Sequence, residues 1–143
     1  DYLHWLLGDL TLQHSWLRTT DELGLAVEDI ANLVLLSEKN VYVSVHLDFI
    51  QKSTQRNCEF IGQHGRLVWD LLANTVTLYH ATGKDTLYAE PNYNKNGMYL
   101  AMLTAFENLP QGGISSLATV ASATKVVQLI DDAKQLNKWR QQG

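Results

Sequence analysis

Apolar and polar positions alternate along the middle of the chain and recur at helical spacing towards both ends. The opening segment DYLHWLLG repeats leucine at the spacing of one helical face. From Thr11 to about Glu90, β-branched and aromatic residues alternate with polar ones, which is typical of strands. Helical spacing returns from Gly97 onward. The pattern predicts a short helix, a series of strands and two further helices.

The predicted strands lie, in chain order, in TLQHSWLRT, VEDIANLVLLSE, VYVSVHLDFI, RNCEFI, RLVWD, TVTLYH and TLYAE. Only Lys39 and Asn40 separate the second strand from the third, so these two form a hairpin. The continuous apolar run Leu33 to Leu36 predicts that the second strand is buried on both faces.

The first of the later helices has an apolar face of Tyr99, Met102, Leu103 and Phe106. After the break LPQGG, a longer helix from about Ser116 to Asn137 has an apolar face of Val120, Ala123, Val127 and Ile130. We predict one α+β domain, residues 1–143, with a predominantly antiparallel, open-faced sheet and helices on one face.

The segment VYVSVHLDFI has the clearest alternation in the chain. Its predicted core face carries Val41, Val43, Val45, Leu47 and Phe49, and its opposite face carries Tyr42, Ser44, His46 and Asp48. Such a polar face can meet water, form a contact between subunits or line a ligand pocket. His46 and Asp48 share this face, so they form either a metal or acid–base pair or a plain hydrogen bond. Asp29, within VED at the start of the second predicted strand, is interpreted as a structural hydrogen-bonding carboxylate rather than a substrate-facing residue.

Composition narrows the function classes. The 143 residues are 45% hydrophobic with a net charge of -4, and the basic residues are scattered, which argues against nucleic acid as a partner. The single cysteine, Cys58, forms no internal disulfide, which fits a reducing cytoplasm. No run of apolar residues is long enough to cross a membrane. The sequence contains neither a G-x-G-x-x-G fingerprint nor a hydrolase elbow, so it encodes no cofactor motif of its own.

Several segments together resemble a known family. DYLHWLLGD, VEDIANLVL, SVHLDFIQKSTQRNCEFIGQHGRLVWD and NGMYLAMLTAFEN, followed by a long helix, occur in an order similar to the C-terminal domain of the Gfo/Idh/MocA oxidoreductases. The resemblance covers nearly the whole chain and is greatest to sugar dehydrogenases of polysaccharide and nucleotide-sugar pathways. It implies the open-faced α+β fold of the C-terminal domain in glucose-fructose oxidoreductase-like enzymes.

The resemblance also implies a function. The complete enzyme would oxidise a secondary alcohol of a sugar or nucleotide sugar in the cytoplasm, with NAD or NADP held by an N-terminal Rossmann domain. The catalytic histidine would fall a few residues before Asp1, so these residues alone would be inactive and would hold no cofactor or metal. The open sheet face would join copies into a homo-oligomer. The implied substrate-facing residues are His46, Asp48, Phe49, Gln51, Asn96 and Tyr99. From the residues alone, a non-enzymatic, dimeric module that binds a small ligand is the alternative.

Overall fold

The structure of the chain, a computed structural model, describes residues 1–109 and 118–141, with side chains described as far as residue 137. Its elements are α1 (Tyr2–Leu7), β1 (Leu10–Arg18), β2 (Ile30–Ser37), β3 (Tyr42–Asp48), β4 (Asn57–Gly62), β5 (Gly65–Asp70), β6 (Thr75–His80), β7 (Gly83–Ala89), α2 (Lys95–Glu107) and α3 (Val120–Gln141). All seven predicted strands and the α+β class are confirmed. The predicted break LPQGG after Leu109 and the predicted helix start at Ser116 lie outside the described residues.

Contacts divide the chain into two compact units. The first comprises residues 1–52 and 118–143, and the second comprises residues 53–117. Hydrogen bonds pair the strands antiparallel in two sheets, with order β1-β2-β3 in the first unit and β4-β5-β6-β7 in the second. The expectation of a single domain over residues 1–143 stays a prediction.

The hairpin of β2 and β3 forms as predicted. Ser37 lies at its closed end, where its hydroxyl accepts hydrogen bonds from the N–H groups of Lys39 and Val41 at 3.2 and 3.0 Å. Asn40 adopts a φ of 60°, a left-handed conformation that asparagine tolerates better than most residues. This turn fixes the register in which Leu36 pairs with Tyr42 and Asn32 with His46.

Helix α3 packs on β1 through a face different from the predicted one. Val120, Val127 and Ile130 are 86%, 65% and 50% exposed. The buried or half-buried positions are instead Ser122, Val126, Leu129, Ala133, Leu136 and Asn137. Two polar contacts select this face. The Ser15 hydroxyl donates to the Ala133 carbonyl at 2.7 Å, and the Asn137 amide bonds both the N–H and the carbonyl of Leu17, at 3.0 and 3.2 Å.

The contact between Asn137 and Leu17 also closes an exposed sheet edge. Strand β1 is an edge strand, and the free N–H and carbonyl groups of such a strand would otherwise need water or another chain. The side-chain amide supplies one acceptor and one donor, as a neighbouring strand would.

Strand β3 corrects the predicted core. Val43 and Val45 are half-buried, but Val41 is 39%, Leu47 60% and Phe49 72% exposed. These residues are exposed because helix α3 does not cover them. Helix α3 contacts β1, and β3 lies at the opposite edge of the sheet, about 10 Å from β1 at the usual strand spacing. In the central strand β2, Leu35 is buried and Leu33, Val34 and Leu36 are half-buried, so the predicted burial on both faces is only partly reached.

The second unit is a four-stranded meander followed by α2. A row of directly opposed residues crosses its sheet from β4 to β7, namely Cys58, Trp69, Val76 and Tyr88. Gly65 opens β5 where a Cβ would lie 2.4 Å from the Tyr79 carbonyl oxygen, so this close approach requires glycine. Arg66 pairs with Glu59 at 3.0 Å and stacks on the Tyr79 ring at 4.8 Å.

Helix α2 begins two residues earlier than the apolar spacing predicts, because Asn94 caps it. The Asn94 side chain accepts a hydrogen bond from the Asn96 N–H at 3.0 Å. The predicted apolar face of α2 is not buried in this chain. Tyr99, Met102, Leu103 and Phe106 are between 49% and 64% exposed.

Replacing Asn137 tests the contact that seats α3. We expect Asn137→Ala to lower the free energy of unfolding by about 1–2 kcal/mol, because the Leu17 N–H and carbonyl lose their partner. Gln128→Ala, on the exposed side of the same helix, should change it by less than about 0.5 kcal/mol. Urea unfolding followed by circular dichroism measures both. Equal effects of the two substitutions would contradict the assignment.

Candidate functional site

Four polar side chains form one hydrogen-bonded cluster at the open end of the β2–β3 hairpin, away from its turn. Asn32 lies directly opposite His46 across the two strands, so their side chains share a face. His46 Nδ1 is 2.8 Å from Asn32 Oδ1, and His46 Nε2 is 2.8 Å from Asp48 Oδ2. Gln51 completes the cluster from the segment after β3. The sequence-predicted residues His46, Asp48 and Gln51 are therefore brought together.

Asp48 is the buried centre of this cluster. Its side chain is 4% exposed, whereas that of His46 is 54% exposed. Asp48 Oδ1 accepts the Gln51 backbone N–H at 2.9 Å, and Oδ2 accepts the Gln51 side-chain amide at 2.6 Å. The Gln51 backbone hydrogen bond, followed by those of the Gln51 side chain and His46, holds the pKa of Asp48 below its usual value, against the opposing effect of burial. The carboxylate stays charged and anchors both neighbours.

The two partners of His46 fix the hydrogen bonds that its ring makes. A carboxylate only accepts hydrogen bonds, so Nε2 carries a proton towards Asp48. Nδ1 then donates to Asn32 Oδ1 when the ring is an imidazolium. When the ring is neutral, Nδ1 accepts from the Asn32 amide NH₂ after the amide turns over. In either state the ring orientation is set from both sides, as a positioned histidine requires.

Asp29 fixes the strand ends on which the cluster is built. Its N–H donates to the Arg18 carbonyl, and its own carbonyl accepts the Phe49 N–H, both at 3.0 Å. Its carboxylate accepts the N–H and the hydroxyl of Thr20, at 3.0 and 2.5 Å. The Thr20 side-chain bond lowers the pKa of Asp29 from its usual value although burial opposes this. The residue is 2% exposed, and its interpretation as a structural carboxylate is confirmed.

The cluster leaves neutral amide groups for a ligand. Asp48 accepts three hydrogen bonds within the cluster and both His46 nitrogens are engaged, which leaves the amides of Asn32 and Gln51 for a ligand. With the His46 ring protonated, the available groups are the Asn32 NH₂ and the Gln51 oxygen. None of the four residues is a lysine or arginine. A donor and an acceptor in one cluster, without net positive charge, match hydroxyl groups better than phosphate or carboxylate groups.

The remaining predicted site residues are Phe49, in the first unit, and Asn96 and Tyr99, in the second unit. Phe49 contributes its backbone N–H to Asp29, and its ring is 72% exposed. Asn96 and Tyr99 lie on α2, in the second unit: the Asn96 N–H is part of the helix cap, and Tyr99 is 55% exposed. Their contact with a substrate stays a prediction.

Sequence reasoning missed Asn32. Counting back from a two-residue turn at Lys39 and Asn40 places Leu33 opposite His46. The structure instead has a three-residue turn between Ser37 and Val41, which shifts the register by one residue and brings Asn32 opposite His46.

A cavity of about 510 Å³ lies elsewhere in the first unit, between α3 and the start of β1. Its polar lining includes an ion pair of Lys125 and Asp9 at 2.6 Å, with both side chains more than half exposed. Both ring nitrogens of His4, which also lines it, are buried and have no hydrogen-bond partner in the described part of the chain. None of the predicted site residues lines this cavity.

Two further searches concern metals and membranes. Within residues 1–109 and 118–141, no three His, Cys, Asp or Glu side chains gather as ligands for a metal ion. In the same ranges, every helix is too short or too polar to pass through a bilayer.

Comparison with solved structures identifies the fold. The chain superposes with a TM-score of 0.75 and 16% identity on an oxidoreductase from Agrobacterium radiobacter, determined in complex with NAD+, L-tartaric acid and magnesium; the match covers 95% of this chain and 43% of that one. A protein assigned as an oxidoreductase from Thermotoga maritima gives 0.71 with 14% identity over 96% and 41% of the two chains. One from Erwinia carotovora atroseptica gives 0.68 with 12% identity over 90% and 41%. The chain has the fold of a part of these oxidoreductases.

The chain spans about two fifths of the length of these proteins. No protein-family model matches its sequence, and no curated protein matches it significantly. At such low identity the comparison establishes the α+β, open-sheet architecture, and the activity is a matter for proposal.

Acid unfolding tests the role of Asp48. Because its pKa is lowered in the folded chain, its charge stabilises the fold above the usual carboxyl pKa of 3.8, and this contribution is lost as the pH falls through the lowered value. We therefore expect Asp48→Asn to lose less stability than the parent chain between about pH 5 and about pH 2.5. Denaturant unfolding across this range measures the difference.

The control is Asp21→Asn, at an exposed loop position of the same unit. It should retain the acid sensitivity of the parent chain. An Asp48→Asn variant with unchanged pH dependence would show that the carboxylate is not held as described.

Proposed function

We propose that this chain is the substrate-positioning and oligomerisation domain of an NAD(P)-dependent oxidoreductase that acts on a secondary alcohol of a sugar or nucleotide sugar. The observation that carries the proposal is the cluster of Asn32, His46, Asp48 and Gln51, built on a fold shared with oxidoreductases. Family resemblance in the sequence and likeness of fold support the same class of enzyme independently.

The chemistry of the cluster supports a hydroxylated substrate. Sugar hydroxyls both donate and accept, so neighbouring hydroxyls of one sugar can bond the Gln51 oxygen and the Asn32 amide. The buried Asp48 makes the arrangement rigid, since it holds Gln51 through two bonds and His46 through a third. Preorganised groups of this kind fix the orientation of a bound ligand at little entropic cost.

The Agrobacterium radiobacter neighbour supports both the cofactor and the substrate class. That protein was determined with NAD+ and L-tartaric acid, and tartaric acid carries two neighbouring secondary alcohols, the group that adjacent ring carbons of a sugar also present. We extend this to the present chain as part of the proposal. Its 143 residues contain no glycine-rich dinucleotide fingerprint, so in the proposal the nicotinamide is held by another part of the full-length protein.

The division of work follows from the reaction. When bound, the nicotinamide supplies the hydride acceptor, and a base must take the hydroxyl proton. In the proposal neither group belongs to this chain. Asn32 and Gln51 hold neighbouring hydroxyls of the sugar and so fix which carbon presents its C–H bond. His46 and Asp48 position these amides.

Oligomerisation is proposed through the open face of the three-stranded sheet. Tyr42 and Trp16 lie on the same face as His46 and are 68% and 44% exposed. Aromatic side chains exposed in one face are typical anchors of protein interfaces. The face combines these aromatic rings with polar side chains such as Ser44 and His46, a mixture common in contacts between subunits.

Gln51 provides the test of the substrate site in the full-length enzyme. We expect Gln51→Ala to lower kcat/KM for the sugar by about 3- to 15-fold, the usual value of one neutral hydrogen bond. The KM for the nicotinamide should not change. Gln63→Ala, in the exposed β4–β5 turn, is the matched control and should leave both constants unchanged. Steady-state rates of nicotinamide reduction measure this.

Absence of hydride transfer from any sugar or nucleotide sugar by the full-length protein would refute the oxidoreductase proposal. In that case, binding of sugars by the isolated chain would favour the non-enzymatic binding module.

Tyr42 provides the test of the sheet interface. We expect Tyr42→Glu to shift the chain towards a smaller assembly, because a charge at the centre of an apolar contact must lose its hydration. Lys39→Glu, in the adjoining turn, adds the same negative group outside the face and should have no effect. Sedimentation velocity measures the assembly. An unchanged sedimentation coefficient for Tyr42→Glu would place the contact elsewhere.

A further inference from the structure

Helix α2 exposes an apolar surface in the part of the chain that the structure describes. Six large apolar side chains are between 49% and 64% exposed along its 13 residues, namely Met98, Tyr99, Leu100, Met102, Leu103 and Phe106. A surface of this kind on a soluble protein marks an interaction site or causes aggregation. The two charged side chains of the helix indicate which partner it fits.

The charges of α2 oppose its own dipole. Lys95 lies in the first turn and Glu107 at the end of the last turn, and the helix contains no other charged residue. The N-terminal end of a helix is electrically positive and its C-terminal end negative, so an acid is favoured at the start and a base at the end. Both side chains of α2 therefore stand at the unfavourable end. Neither forms an ion pair with the part of the chain that the structure describes.

A second copy of α2, running antiparallel, removes both conflicts. Lys95, Leu103 and Glu107 lie on one ridge of the helix, since they are separated by multiples of four residues. When two such ridges pack in opposite directions, Lys95 of each copy meets Glu107 and the negative helix end of the other. Both copies of the helix have the same length, about 20 Å, so each end of one copy can lie beside the opposite end of the other. The contact is self-complementary, as a two-fold axis requires.

We propose that α2 is a homotypic interface, in which two copies of this chain pack their α2 helices antiparallel around a two-fold axis. The apolar residues fill the contact, and two ion pairs between Lys95 and Glu107 set its direction. This surface is distinct from the sheet face, and the proposal does not rest on the oxidoreductase function. The sequence predicted that Tyr99 contacts a substrate. In the proposed interface its ring packs against the second copy instead.

Charge reversal tests the direction of pairing. The 143-residue chain is used with Tyr42→Glu in every sample, so that the sheet face does not hold the copies together. Sedimentation velocity between about 1 and 100 μM gives the dimer affinity. We expect Lys95→Glu alone and Glu107→Lys alone each to weaken dimerisation by about tenfold or more, because like charges then oppose each other twice per dimer.

The rescue samples are decisive. An equimolar mixture of the Lys95→Glu and Glu107→Lys chains should regain the affinity as a heterodimer, and the double variant should regain it as a homodimer. Each single reversal places a charge of the favoured sign at its own end of the helix, so circular dichroism should report unchanged or higher helix content. Lost affinity is then not a folding defect. Lys39→Glu and Glu22→Lys, both at exposed sites outside α2, are the matched controls.

Three results overturn the proposal. The first is a chain with native α2 that stays monomeric over the whole concentration range, which would assign the apolar surface to a different partner. The second is a dimer that neither single reversal weakens. The third is a mixture and a double variant that stay as weak as the single variants, which would mean that the two charges do not face each other.

Discussion

One buried carboxylate determines how the three-stranded sheet ends. Asp29 is 2% exposed, and a buried charge is costly unless hydrogen bonds satisfy it. Thr20 supplies those bonds, and the Asp29 backbone bonds Arg18 on one neighbouring strand and Phe49 on the other. Hydrogen bonds of Asp29 therefore join the chain at the ends of all three strands. The segment that leaves β3 at this point carries Gln51, so the candidate site depends on the same constraint.

The second constraint is the small amount of apolar surface that the chain covers by itself. Among the described residues, only Leu17, Leu35 and Ala133 are apolar and buried. Helix α3 covers the sheet from the side of β1, and Asn137 closes that edge by imitating a neighbouring strand. The apolar residues of β3 and α2 remain exposed. Faces of this kind are expected where a domain meets other copies or other parts of a longer protein.

These two constraints connect the fold with the proposed function. A rigid polar cluster needs a buried group that holds its members in place. Asp48 is such a group, because its carboxylate accepts three hydrogen bonds from Gln51 and His46. The cluster also needs access, which the incompletely covered sheet leaves open beside it. The same openness would leave room on this face for a substrate at His46 and for a second copy of the chain at Tyr42 and Trp16. Orientation of a hydroxylated ligand is the chemistry that such a domain can contribute to an oxidoreductase.

By itself, the sequence determined the strands, the hairpin at Lys39 and Asn40 and the grouping of His46 with Asp48, because alternation and turn chemistry act between near neighbours. It also indicated the open-sheet α+β fold that the chain shares with part of the solved oxidoreductases. It did not determine which faces are covered: it predicted Leu47 and Val127 in a core from which the structure excludes them. Coverage depends on which element packs on which, and contacts such as Ser15 with Ala133 and Asn137 with Leu17, more than a hundred residues apart, decided it. Only the tertiary structure contains those distances.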